Sequence, residues 1–265
     1  MVTIKRNKRM IAVMGGVVIL AVMSGFLTSC DKKSQQQAQP TPTPAAARPA
    51  TSEQASQPTG VLQTEWPPGV GEQDVALEEN LLAANYYVIF DGSGSMKGDK
   101  LRVAKQALSE FVKYIPAGAN VGLAAFDQYQ LSERAVLGDP RDAIISQIDK
   151  VQAKGYTPLK DAITLAYQKL TAQGLKQLGY GEYHLVVITD GEASDGQDPT
   201  GIVNKILQES PVVIHTIGFQ IGQDHSLNQP GRIFYTAANN LEELQKGLES
   251  VLAELEDFSV ADFQE

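Results

Sequence analysis

The apolar run Tyr86-Tyr87-Val88-Ile89-Phe90 gives way directly to Asp91-Gly92-Ser93-Gly94-Ser95, and this junction constrains the fold more than any other stretch of the chain. A short continuous apolar run that ends at a glycine-rich turn reads as a buried strand. A carboxylate and two hydroxyls then stand where that strand opens into a loop. The intervening glycines let the backbone turn tightly, so oxygen ligands at alternating positions can converge on one hard cation. Two other segments carry matching chemistry. Gly155-Tyr156-Thr157-Pro158 places a hydroxyl at the start of a helix, and Leu185-Val186-Val187-Ile188-Thr189-Asp190 ends a second apolar strand in another carboxylate.

Past Ala83, short apolar runs alternate with amphipathic stretches, the signature of an α/β domain with a mainly parallel sheet. The pattern predicts strands at 86–90, 121–126, 135–137, 185–189, 212–219 and 233–235. Leu101, Ala104, Leu108, Phe111, Val112 and Ile115 share one helical face, as do Leu159, Ala162, Ile163, Ala166, Tyr167 and Leu170. A last helix uses Leu241, Leu244, Leu248, Val251, Leu252 and Leu255, with Asn240 and Glu243 spaced as a capping box. Asp139-Pro140 and Asp198-Pro199 read as N-cap plus first-turn proline. Too few residues separate 126 from 135 for a crossover helix, so these two strands should form an antiparallel hairpin at an edge. Ligands of open α/β sheets gather beyond the carboxyl ends of the strands, and Asp91, Asp127 and Asp190 all follow strands.

The three oxygen-bearing segments, in this order and spacing, resemble the von Willebrand factor A domain and its metal-ion-dependent adhesion site. The family's Asp-x-Ser-x-Ser element falls on Asp91, Ser93 and Ser95, its loop threonine on Thr157 and its second aspartate on Asp190. The resemblance covers residues 83–258. It implies a doubly wound, Rossmann-like α/β fold with a six-stranded, mainly parallel sheet and one antiparallel edge strand. It further implies that Ser93 and Ser95 bind the ion directly, that Asp91 and Asp190 act through water, and that an acidic residue of a partner protein fills an open position. Two carboxylates and three hydroxyls suit Mg²⁺ first, with Mn²⁺ or Ca²⁺ as alternatives, and not zinc, whose sites favour nitrogen and sulfur. The expected activity is binding rather than catalysis.

The N-terminus points to export. Lys5, Arg6, Lys8 and Arg9 precede an apolar stretch from Met10 to Phe26, and Leu27-Thr28-Ser29 leads into Cys30, the sole cysteine. That order is a secretory signal, and its ending resembles a bacterial lipobox that would leave Cys30 lipidated after removal of residues 1–29. An uncleaved signal anchor is the alternative, since the apolar stretch approaches the ~17–25 residues that span a bilayer. Either way the domain is expected outside the cytoplasm and attached to a membrane, and Asp31 resembles an inner-membrane retention signal. Residues 31–60 contain no Val, Ile, Leu, Met, Phe, Trp or Tyr, so residues 30–82 read as lipid-anchor cysteine and tether. Trp66-Pro67-Pro68 either docks on the domain or is simply a loop, the loop being the preferred reading, and 259–265 is expected as a C-terminal tail. Without residues 1–29 the chain carries 18 basic against 31 acidic side chains, a formal charge of −13. That balance argues against nucleic acid as a partner and leaves an envelope or extracellular protein.

Blander readings compete with each element. Ser93, Ser95 and Thr157 could be helix-capping hydroxyls. Asp127, Glu192 and Asp195 are candidates for shaping the rim, or merely solvated loop acids. His215 reads as a satisfied core histidine, while His184 and His225 have no evident companions. Two rival functions also follow a strand-terminal Asp-Gly-Ser-Gly. Mg²⁺-dependent phosphoryl transfer would use Asp91 as nucleophile, but Ser93 stands where a second carboxylate is needed, and only Lys97 and Lys160 are near. Dinucleotide binding would use Gly92, Gly94 and Gly98, whose spacing is one residue too long for the usual fingerprint.

Overall fold

The computed structural model describes residues 65–72, 74–223 and 225–253. The expected signal peptide, Cys30, most of the tether, Leu255 and the 259–265 tail lie outside the described residues. Among the described residues no helix is long and apolar enough to cross a membrane.

Among the described residues six strands form one sheet: β1 (Ala84–Asp91), β2 (Asn120–Asp127), β3 (Gln130–Ala135), β4 (Glu182–Thr189), β5 (Val213–Phe219) and β6 (Phe234–Ala238). Their spatial order is β3-β2-β1-β4-β5-β6. All neighbours run parallel except β2 and β3. The doubly wound architecture with one antiparallel edge strand is therefore present as expected. Five helices among the described residues cover the sheet: α1 (Asp99–Tyr114), α2 (Arg141–Lys150), α3 (Leu159–Lys176), α4 (Thr200–Glu209) and α5 (Leu241–Ala253).

Alternation along β1 divides the core in two. Tyr86, Val88 and Phe90 pack with the apolar faces of α1, α2 and α5, whereas Tyr87 and Ile89 pack with those of α3 and α4. Because side chains of a strand point to opposite faces, a run that is apolar throughout is what a two-sided burial demands. Every residue assigned to the α1 and α3 faces is buried.

Three details differ from expectation. The edge strand lies at Gln130–Ala135, before the predicted 135–137, because β2 reverses through the two-residue turn Gln128-Tyr129, both with positive φ (49° and 67°). Such a turn suits the right-handed twist of a hairpin, and its half-exposed strand carries Ser132, Glu133 and Arg134 where an apolar signal was sought. Asp139 does not cap α2; its Oδ2 accepts from the Val136 N–H (2.9 Å) instead. Asp198 does receive the Thr200 N–H at the entry to α4 (2.9 Å). In the box at α5, the Glu243 N–H donates to Asn240 Oδ1 (3.0 Å), but Glu243 Oε2 reaches back to the Asn239 N–H (2.7 Å) rather than that of Asn240.

Trp66 is a packed residue and not part of a free loop. Its ring meets Tyr183 edge-on with centroids 4.6 Å apart. A Cβ on Gly174 of α3 would stand 2.8 Å from its ring, so this helical glycine makes room for the indole. The chain thus docks beside the first residues of β4, at the end of the sheet opposite Asp91.

His215 is a satisfied core histidine as expected, but His184 is its companion. On adjacent β4 and β5 their rings meet at Nδ1 and Nε2, 3.2 Å apart. Tyr86 stacks on His184 (4.8 Å) and Phe234 on His215 (5.3 Å). Burial, with the neighbouring His184 adding to it, pushes His215 down to about 3. Burial also lowers His184, against the opposing pull of Glu182. Both rings are therefore neutral in the folded chain at neutral pH, whereas unfolded histidines take up protons near pH 6.5. Below that value and down to about 3 for His215, the unfolded chain binds more protons and stability falls with pH. The slope is at most ~1.4 kcal/mol per pH unit for each such histidine. Urea midpoints should therefore drop from neutral to mildly acidic pH, and His215→Phe should flatten the drop; a slope unchanged by the substitution would contradict this account.

Candidate metal centre

Strand order reverses between β1 and β4, because β1 leads to β2 on one side while β4 leads to β5 on the other. The crevice of an open α/β sheet lies at such a reversal. Asp91 closes β1 there, and Asp190 follows β4 immediately.

Four of the five predicted residues form one chain of hydrogen bonds, side chain to side chain from Ser93 through Ser95 to Asp190 and through the Ser93 main-chain N–H to Asp91. Ser95 Oγ donates to Asp190 Oδ1 (2.6 Å), which leaves Ser93 Oγ to donate to Ser95 Oγ (2.9 Å). Asp91 Oδ1 accepts from the Ser93 N–H (2.7 Å), and Asp91 Oδ2 accepts from Thr189 Oγ1 (2.6 Å). Asp91, Ser93 and Asp190 are buried, while Ser95 faces solvent. Behind them the 3-10 turn Gly94–Met96 is anchored by the fully buried Met96.

Thr157 comes from the loop between α2 and α3, and backbone bonds fasten that loop to both carboxylate-bearing loops. Toward β1, the Lys154 N–H donates to the Gly92 carbonyl (2.8 Å) and the Gly94 N–H to the Gly155 carbonyl (3.1 Å). Toward β4, the Ser194 N–H donates to the Thr157 carbonyl (3.0 Å), and Ser194 Oγ accepts from the Thr157 N–H (2.9 Å). Thr157 is 6% exposed, and among the described residues its hydroxyl is not committed to another side chain. The capping reading fails for it, and Ser93 makes no side-chain cap to the turn it precedes.

Burial raises the Asp91 carboxyl above its usual range, and the negative charge of Asp190 raises it further; donors from Ser93 and Thr189 work in the opposite direction. Two buried carboxylates side by side attract a cation. The donor set is entirely oxygen, a chemistry that fits a hard divalent ion.

Three contributors were missed by sequence reasoning. Thr189 was read only as the end of a strand. Lys100 Nζ lies 2.7 Å from Asp190 Oδ2; its one sequence signal is a lysine in the first turn of a helix, where the macrodipole disfavours it. His225 Nε2 donates to the Gly191 carbonyl (3.0 Å), while its Nδ1 accepts from the Leu227 N–H (3.0 Å). It therefore braces the loop after Asp190, which corrects its reading as a lone histidine. Asp127 is occupied structurally: it pairs with Arg134 across the hairpin and accepts from the Gln152 N–H (2.9 Å). Glu192 Oε1 accepts from the Ser226 N–H (3.1 Å), and Asp195 is exposed.

The chain is thus an open-sheet α/β domain with an oxygen-lined rim at its strand reversal. The family model described as "von Willebrand factor type A domain" matches residues 85–250, and the chain belongs to that family. The Bacillus subtilis (strain 168) protein YwmD is 25% identical over 190 residues, covering 62% of this chain and 83% of YwmD. Among solved structures, BatB from Bacteroides thetaiotaomicron aligns with a TM-score of 0.54 at 17% identity, over 66% of this chain and 100% of that one. The vWF domain of the type V pili tip protein Mfa5 from Porphyromonas gingivalis aligns at 0.51 and 13% identity, over 69% and 99%. These structures share the fold.

Of the glycines at the rim, Gly92 is the most tightly enclosed. A Cβ there would stand 2.7 Å from both Asp127 Cβ and Val151 Cγ1, atoms held by the Arg134 pair and the core. Gly92→Ala should therefore cost about 1–3 kcal/mol of stability, read from urea denaturation, and an unaffected midpoint would show that the rim relaxes freely.

Proposed function

We propose that this chain is a membrane-tethered module of the cell envelope that binds protein partners through a divalent cation, Mg²⁺ first. The observation that carries the reading is the continuous set Asp91, Ser93, Ser95 and Asp190, buried at one end and open to solvent at Ser95. The ion would be held by those four residues with Thr157. When bound, it supplies a positive centre that attracts a carboxylate from outside. Ser93 and Ser95 offer neutral oxygens that leave its charge largely unquenched, while Asp91 holds the Ser93 main chain and Asp190 the Ser95 hydroxyl in place. Likeness to a domain of a pilus tip protein supports a partner that is itself a protein, and supports export.

Binding is favoured over phosphoryl transfer by the state of Asp91. Its side chain is fully buried and both oxygens are engaged, by the Ser93 N–H and by Thr189 Oγ1. A nucleophile needs a free, accessible oxygen. The rim also lacks a second carboxylate two positions after Asp91, where Ser93 stands.

Saturating Mg²⁺ should stabilise the fold by ~2.7 kcal/mol at a hundredfold excess over its dissociation constant. Asp91→Ala should remove that gain and abolish capture of the envelope partner, to the same extent as EDTA and without adding to it. A melting temperature equal in Mg²⁺, Mn²⁺ and EDTA would sink the metal reading. Capture that persists in Asp91→Ala and in EDTA would place the partner elsewhere.

Attachment is tested separately. Cys30→Ala should leave an unprocessed, slower-migrating precursor, and mass spectrometry of the membrane fraction should find the Cys30 peptide carrying lipid. An unmodified Cys30 peptide in that fraction would overturn the lipid anchor.

A further inference from the structure

The two oxygens of Asp190 have different partners. Oδ1 accepts from Ser95 at 2.6 Å, on the side of the hydroxyl set. Oδ2 accepts from the Lys100 ammonium at 2.7 Å, with the carboxylate side chain 0% and the lysine side chain 27% exposed. The lysine is not a loose surface residue. It occupies the first turn of α1, which follows the loop of Ser93, Ser95 and the buried Met96 within a few residues. The element that supplies two of the hydroxyls therefore also supplies the group that caps the second carboxylate.

This cap bears on which cation the rim accepts. Mg²⁺ takes six ligands at ~2.0–2.1 Å and is satisfied by single oxygens and water, whereas Ca²⁺ takes 6–8 ligands at ~2.3–2.6 Å and draws on carboxylates that bind through both oxygens. With Oδ2 held by an ammonium, Asp190 has only Oδ1 to offer a cation, directly or through water, once the Ser95 hydroxyl turns from it. Asp91 does not make up the difference, since its oxygens accept from the fixed main-chain N–H of Ser93 and from the buried Thr189 hydroxyl. The lysine also lowers the summed charge of the two carboxylates from −2 to −1, which weakens attraction for any cation.

We infer that Lys100 is a specificity-determining residue of this rim, capping Asp190 Oδ2 so that the site takes Mg²⁺ or Mn²⁺ and rejects Ca²⁺. The inference rests on the reading of the rim as a cation site. Geometry and charge make separable contributions. Lys100→Met removes both the hydrogen bond and the charge, whereas Lys100→Gln removes the charge and retains a neutral N–H donor on a side chain one bond shorter.

The test is calorimetric titration of the wild-type chain and both variants with MgCl₂ and with CaCl₂, alongside melting temperatures in EDTA. The wild type should bind Mg²⁺ at least about tenfold more tightly than Ca²⁺, and in Lys100→Met that preference should collapse through a gain of about tenfold or more in Ca²⁺ affinity. Lys100→Gln should bind both ions more tightly by a similar factor and keep their ratio. Lys100→Met should also melt lower than wild type in EDTA and recover with either ion, because Asp190 is left buried without a counter-charge. A wild type that prefers Ca²⁺, a Lys100→Met ratio equal to the wild-type ratio, or a Lys100→Gln ratio that collapses would overturn the role of Lys100 while leaving the cation site intact. A wild type that binds neither ion would overturn the cation site itself, and this inference with it.

Discussion

The bond from the Thr189 hydroxyl to Asp91 Oδ2, buried between the ends of two adjacent strands, is the interaction on which the rim depends. It ties the terminus of β1 to that of β4 at the point where the sheet reverses its winding. An aspartate placed there without donors would be expensive to bury. With the Thr189 hydroxyl and the Ser93 amide in place, the carboxylate becomes a fixed post around which the loop of Gly92 to Met96 is wound. The other loops follow: Gly92 and Gly94 exchange backbone bonds with Lys154 and Gly155, and Thr157 does so with Ser194. Three loops far apart in sequence are held by main-chain hydrogen bonds, so the side chains between them have little freedom to rearrange.

The polar groups at the opposite end of the sheet perform a different task. Asn85 Nδ2 lies 2.8 Å from Gln177 Oε1 and 3.0 Å from the Glu182 carbonyl, and Asn85 Oδ1 accepts from Asn120 (3.0 Å). This network sets the alignment in which the central strands start. Parallel pairing of β1 with β2 and β4 then runs unbroken over seven residue pairs on each side, which carries Asp91 and the end of β4 to the same level.

What could be read from the chain and what could not separate along physical lines. The ends of β1 and β4 were legible because a fully apolar run that stops at an aspartate allows few other arrangements. The faces of α1 and α3 were legible because burial imposes a period of 3.6. The edge strand was misplaced because Gln130–Ala135 is half-exposed and polar, and because Gln128-Tyr129 contains no glycine or asparagine to announce a hairpin. Lys100 and His225 escaped notice for another reason: their partners lie 90 and 34 positions away, and nothing in their local sequence encodes such a distance. The His184 and His215 pair depended on the register of β4 against β5, which sets Val186 opposite His215 and His184 one diagonal away. Trp66 was underestimated because its pocket is a missing side chain, that of Gly174.

The position of Trp66 has a mechanical consequence. It seats the incoming chain against Tyr183 and α3, beside the amino ends of the central strands, whereas the rim crowns their carboxyl ends. A pull applied between the incoming chain and anything gripped at the rim would run lengthwise along β1 and β4. Their ladder bonds lie across that direction and would be loaded together in shear, not opened one after another like a zipper. Along that line the load would be shared by many bonds at once.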